Sequence, residues 1–178
     1  MAALLASVND TKVLIACSAI LTVKFYISTM IQGGKRFAAG TRPPEDQILT
    51  NLNPKNQKQS FGVRHEAEAK TDDDSKTKKP LNLTPSDRAI EADLRWERLV
   101  RNDLENIPIG LLSAWAAVNS GGNPLVNSVA IVIFTVGRVA HTFAYANSLQ
   151  PHRAYAWMAG VFGTLVLVGN SIAGIALH

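Results

Sequence analysis

The chain alternates between long apolar runs and one concentrated polar stretch. A helix needs about 20 mostly apolar residues to cross the hydrocarbon core of a bilayer. Residues 13–31, 125–146 and 154–177 each supply that length. Asp10 and Thr11 precede the first run as helix-start residues, and Gly33 and Gly34 follow it as a stop. The turn signal Asn119-Ser-Gly-Gly-Asn-Pro124 separates a further apolar run, 107–118, from the second. That run is too short to span alone. Upstream of it, residues 91–105 are strong helix formers with no Gly or Pro. One long helix therefore covers 86–118, its first half in water and its second in lipid. Ser86 or Thr84 caps it, Pro85 sits in the first turn, and Pro108 kinks it locally.

The pattern thus predicts an all-α chain with four membrane helices at about 12–33, 86–118, 125–147 and 152–177. Short connections make sequential helices antiparallel neighbours, so the expected architecture is an integral membrane four-helix up-down bundle in a single domain. The segment 40–85 is a long polar loop, and its part 71–80, which lacks any apolar residue, reads as disordered.

The mean hydropathy of +0.06 over 178 residues resembles that of a soluble protein, but the charges are segregated. After Glu105 only Arg138 and Arg153 remain, with no acid, and before Lys35 there are only Asp10, Lys12 and Lys24. A soluble globule spreads its charges over its surface. Cys17 has no partner cysteine, which excludes a disulfide scaffold. The basic segment is also acidic and poor in aromatics, so no nucleic-acid partner is expected. Fourteen of the 18 basic residues lie from Lys35 to Arg101, and Lys and Arg flanking the spans place that segment in the cytosol.

This topology brings several polar residues to one depth. Arg95, Arg98, Asn102 and Glu105 share a face of the second helix, with Arg101 beside them. Arg138, His141 and Tyr145 share a face of the third, and Arg153 opens the fourth. Lys24 and Arg36 complete the ring from the first. In a structural reading Arg138 pairs with Glu105, the other arginines meet lipid phosphates, Tyr145 belongs to the interfacial belt and His141 is a satisfied core residue. In a functional reading, the excess of cationic donors suits a small ligand bearing carboxylates and an ammonium. A nearby cation would also favour a thiolate over a thiol. No metal-ligand spacing stands out.

Three segments resemble one known family. Arg98-Leu-Val-Arg-Asn-Asp-Leu-Glu-Asn-Ile-Pro108 is similar to the second-helix signature of the MAPEG family, the membrane-associated proteins in eicosanoid and glutathione metabolism. Gly137-Arg-Val-Ala-His-Thr-Phe-Ala-Tyr145 is similar to its third-helix signature. Leu149-Gln-Pro-His-Arg-Ala154 resembles the fourth-helix start of the microsomal glutathione transferase, type-one branch, and Pro44-Glu-Asp46 matches an element after helix one. The resemblance covers nearly all the chain except about 52–85, an enlarged loop.

The resemblance implies a homotrimer that binds glutathione as co-substrate between subunits. It implies that Arg36, Arg98, Arg101, Asn102, Glu105, His141 and Tyr145 belong to the glutathione site and that Arg153 holds the thiolate as the catalytic residue. Arg138 is implied to be structural. The implied activity is glutathione transfer to hydrophobic electrophiles, a detoxification reaction, together with reduction of lipid hydroperoxides. The implied location is the endoplasmic reticulum, with the outer mitochondrial membrane as the alternative. Two other family roles remain open, a prostaglandin E synthase-type isomerase and a non-catalytic lipid-presenting scaffold. Ala154 and Trp157 depart from the serine and tyrosine of the synthase branch, and Val100 and Leu94 depart from a common histidine and acid.

Overall fold

The computed structural model describes residues 9–62 and 85–177. It contains four long helices, α1 Asp10–Ala39, α2 Asp87–Asn119, α3 Pro124–Ala146 and α4 His152–Leu177, and one 3₁₀ turn at Pro44–Ile48. No strand occurs among the described residues. Three of the helices, α1, α3 and α4, are long and apolar enough to cross a membrane. The charged first half of α2 keeps it out of that set.

The helix ends follow local chemistry. Asn9, rather than Asp10 or Thr11, starts α1, since its Oδ1 accepts from the Lys12 amide at 3.0 Å. Gly33 and Gly34 do not stop α1, which runs on to Ala39. Gly40, with φ +70°, follows that end. Ser86 caps α2 through a bond from the Ala89 amide (3.3 Å), so Pro85 precedes the cap instead of lying in the first turn. α2 continues through Pro108. Asn123 caps α3 by accepting from the amides of Leu125 and Val126, with Pro124 opening the helix.

The chain divides into two compact units. The first, residues 1–27 and 99–178, holds the core. Each helix presents a buried stripe at spacings of three and four. On α2 it is Leu99, Asp103, Ile107, Gly110, Ala114 and Ala117. Cys17, Ala114, Ala117, Ala130, Ile131 and Leu167 form one apolar cluster, and Leu21, Ile107 and Phe134 form another.

Polar bonds pin the two ends of this core. At one end the fully buried Asn127 donates to Asp10 Oδ2 (2.8 Å) and to the Ala117 carbonyl (3.1 Å), and accepts from Asn170 (2.7 Å). Four helices meet on one amide. At the other end Asp103 takes Lys24 and Arg138. Residues 10 and 24 are 14 apart on α1, roughly 21 Å of helix rise. The chain numbers ascend between the two levels on α1 and α3 and the reverse on α2, which makes neighbouring helices antiparallel. The Asn170 contact fits α4 into the same alternation.

Helices α3 and α4 pack backbone to backbone through glycine. A Cβ on Gly137 would lie 2.9 Å from the Gly160 amide nitrogen, and one on Gly163 would lie 3.0 Å from the Ala130 carbonyl oxygen. Small residues at such positions let membrane helices approach closely.

In the second unit, 28–98, the described residues of the segment after α1 are held by buried amides. Gln59 donates to the carbonyls of Phe37 and Gln57 (both 2.9 Å) and accepts from the Arg42 amide (3.2 Å). Asn53 brackets Gln57 with bonds of 2.7 and 2.8 Å. Thr41 donates to Asp93 of α2 at 2.6 Å, and Arg42 lies over the Phe37 ring while pairing with Asp46. The first part of the expected polar loop is therefore bonded structure. The stretch 71–80, expected to be disordered, lies outside the described residues.

The glycine contacts generate a paired test. Gly163→Ala pushes a methyl against backbone that cannot yield, and should cost about 1–3 kcal/mol. Gly33→Ala meets nothing within 4 Å and should gain about 0.5–1 kcal/mol. Thermal unfolding midpoints in detergent should move in opposite directions; a Gly163→Ala midpoint at or above wild type would contradict this packing.

Candidate functional site

The site is built on the buried stripes of the first unit. Lys24 lies on the stripe of α1 that also carries Cys17 and Leu21. Asp103 lies on that of α2 and is completely buried. Arg138 lies on that of α3 and is 1% exposed. One carboxylate thus holds two cations from two other helices. Arg138 Nη2 donates to Asp103 Oδ1 at 2.5 Å, and Lys24 Nζ donates to Asp103 Oδ2. The same Nη2 donates to Asn102 Oδ1 at 2.8 Å.

The pairing of Arg138 with Glu105 read from sequence is not the one formed. Asp103 is the partner, and Glu105 is exposed. The reason is helix phase. Asp103 is four residues from Leu99 and from Ile107, so it faces inward with them, whereas Glu105 is rotated off that stripe. Burying one guanidinium requires an equally buried anion.

Arg138 begins a row along α3. His141, one turn on, is 3% exposed, and its Nδ1 is buried without a hydrogen-bond partner. The Nε of Arg138 is likewise buried without a partner. The His141 ring meets the Tyr145 ring edge-on, with centroids 5.6 Å apart. The Arg153 guanidinium from α4 stacks over Tyr145 at 4.7 Å. Such a cation over an aromatic face is held by the ring quadrupole. The Gln150 amide, turned with its oxygen toward Arg153, accepts from Nη2 and Nε at 2.5 and 3.1 Å. His141 sits in the field of Arg138, Asp103, Lys24 and Arg153.

Of the residues singled out from sequence, Asn102, His141, Tyr145 and Arg153 are thus joined in one continuous series through Arg138. Arg101 and Glu105 are exposed on α2 in the same unit. Arg98, also exposed, and the half-buried Arg36 belong to the unit 28–98. Arg95 pairs with Glu91 at 2.8 Å along its own helix. Asp103 escaped the sequence reading altogether, although its place on the stripe was the available signal.

Chemically, the row offers a stacked guanidinium, a phenol, an imidazole and an amide beside a buried cluster of two cations and one carboxylate. Such a surface can bind an anionic ligand and stabilise negative charge developing on it.

The buried pairing predicts unequal losses. Asp103→Asn leaves two buried cations without their anion and should cost about 3–5 kcal/mol. Glu105→Gln removes an exposed charge and should cost less than about 1 kcal/mol. Thermal midpoints compare them directly; equal small losses would show that Asp103 does not hold the cluster.

A search among curated proteins returned no match. The MAPEG family model matches residues 13–173, which takes in every helix and nearly the full length of the chain. With the family's span laid over the Lys24–Asp103–Arg138 cluster and the row that ends at Arg153, the chain belongs to the MAPEG family.

Proposed function

We propose that this protein is a membrane-bound glutathione transferase that conjugates the glutathione thiolate to hydrophobic electrophiles and also reduces lipid hydroperoxides. The observation that carries the reading is the series Asn102–Arg138–His141–Tyr145–Arg153, set against a buried cluster in which cations outnumber the carboxylate. Family membership supports a glutathione-related role. Glutathione carries two carboxylates, an ammonium and a thiol, and this donor set suits it. Buried donor and acceptor capacity at Arg138 Nε and His141 Nδ1 is left for a ligand or water.

In the proposed mechanism Arg153 holds the sulfur as thiolate by charge alone. The thiol loses its proton to solvent, so no general base is needed once the thiolate is stabilised. The sulfur attacks the electrophilic carbon, an S–C bond forms, and the leaving group departs with its electron pair. With a lipid hydroperoxide, sulfur attacks the terminal oxygen and the O–O bond breaks. The lipid alcohol leaves, and a second glutathione converts the sulfenic acid to disulfide and water. Tyr145 holds the Arg153 guanidinium from the ring face, and Asn102 is aligned by Arg138.

Arg101 and Glu105 are exposed on the single chain. That exposure supports a ligand site completed by a second copy, and we assign the assembly as a homotrimer with Arg36 and Arg98 contributing at the shared site. The hydrophobic co-substrate enters from the bilayer. The Lys and Arg distribution supports a site at the cytosolic side, and family membership supports the endoplasmic reticulum as the membrane, with the outer mitochondrial membrane as the alternative.

Purified protein in detergent should conjugate glutathione to chlorodinitrobenzene well above the uncatalysed rate. Arg153→Leu should lower kcat by about a hundredfold while leaving the fold intact. Glutathione that binds without conjugation would favour the lipid-presenting scaffold of the same family, and an Arg153→Leu rate equal to wild type would remove the thiolate role from that residue.

A further inference from the structure

A buried salt bridge needs one cation for one carboxylate, and this one has two. Arg138, 1% exposed, already neutralises Asp103. Lys24, its side chain 10% exposed, is the second cation on the same group. Desolvating an ammonium is costly, and the Arg138–Asp103 pair alone would have avoided that cost. The charged groups acting on His141 are Arg138, Lys24 and Arg153 against Asp103, a balance of three cations to one anion. In a low-dielectric interior an unmatched cation favours an anion bound nearby.

We propose that Lys24 is a positioning residue that sets the charge of the glutathione site. Held by Asp103, it supplies the surplus positive field that favours the anionic sulfur of the bound ligand. The proposal rests on the glutathione reading above. The chemical event is ionisation only: the S–H bond breaks, the proton goes to solvent, the electron pair stays on sulfur, and nothing is oxidised. The charged and titratable groups that bear on the site are Lys24 of α1, Asp103 of α2, Arg138, His141 and Tyr145 of α3 and Arg153 of α4, together with Arg36, Arg98, Arg101 and Glu105 assigned above to the shared site. Lys24 acts through the field and through the orientation of Asp103, which in turn fixes Arg138 against Asn102.

The sign follows directly. Removing a cation from the neighbourhood of an ionising thiol makes the thiolate less favourable, so the thiol keeps its proton to higher pH. Full-length protein in lipid nanodiscs is titrated by the ultraviolet absorbance of the bound thiolate, for wild type and for Lys24→Met, Lys24→Gln and Lys24→Arg. The two neutral variants should move the midpoint up by about one pH unit, and thus lower thiolate about tenfold below the midpoint. Lys24→Arg should retain the wild-type value. Competition binding gives a second readout. Glutathione sulfonate carries a fixed anion at the sulfur, and S-methylglutathione carries none. Wild type should prefer the sulfonate, and the neutral variants should lose about tenfold of that preference.

A neutral variant with the wild-type midpoint overturns the proposal, as does Lys24→Arg behaving like Lys24→Gln, which would make the role one of packing. If neither neutral variant folds, Lys24→His is read instead: a sulfonate preference that falls more steeply than wild type's as pH is raised through the imidazole range supports the proposal, and a preference that tracks wild type overturns it. Wild type that binds no glutathione at all would instead remove the underlying reading of the site.

Discussion

A carboxylate with no exposure to solvent, shared by an ammonium and a guanidinium from two other helices, constrains the core unit more than any other contact. Ions in a low-dielectric interior cannot tolerate a lost partner. Each of α1, α2 and α3 must therefore turn one particular face inward at the level of Asp103. A single-residue slip rotates a helix by about 100° and would carry the charged group off its stripe. Apolar packing cannot enforce this so strictly, since Leu, Ile, Val and Ala can replace one another on neighbouring faces. Apolar burial supplies the drive for packing in this unit, and the charged cluster sets its register.

The same cluster links stability to chemistry. Arg138 spends one nitrogen on both Asp103 and Asn102 and leaves Nε buried without a partner. His141 follows one turn later with a similar surplus. Residues that hold the helices in register thus also keep unspent hydrogen-bonding capacity inside the core. Arg153 is held more loosely, by a ring face and by the Gln150 amide at the entrance of α4.

Much of this was legible in the sequence. Apolar run lengths place the helices, and Ser86, one of two cap candidates, is the cap that the hydrogen bond shows; Asn123-Pro124, read only as part of a turn, also caps and opens α3. The 3-and-4 spacing of Arg138, His141 and Tyr145 likewise placed them on one face. Three features were misread or missed, each for a physical reason. Gly33 and Gly34 looked like a stop, but helical glycine costs only about 1 kcal/mol, and the run of intrahelical bonds in α1 continues to Ala39. Glu105 takes the place of Asp103 in the sequence reading because the functional face is drawn through Arg98, Asn102 and Glu105, rotated off the apolar stripe Leu99–Asp103–Ile107. Asn53, Gln57 and Gln59 were taken as solvated loop, whereas their amides replace missing backbone partners and are buried as a result. Composition cannot distinguish an amide facing water from one bonded to main chain.

The amide of Asn127 has a consequence for how the chain is made. Its partner Asp10 emerges from the ribosome 117 residues earlier. A carboxylate at the head of the first apolar helix must therefore wait through the synthesis of α2 and of the turn before α3 without its final donor. During that interval it needs water or lipid headgroups at the bilayer surface, so the Asp10 end of α1 stays at the interface until α3 arrives. Asn170 of α4, translated later still, completes the bonding of the same amide. Helices far apart in the order of synthesis thus meet at one side chain.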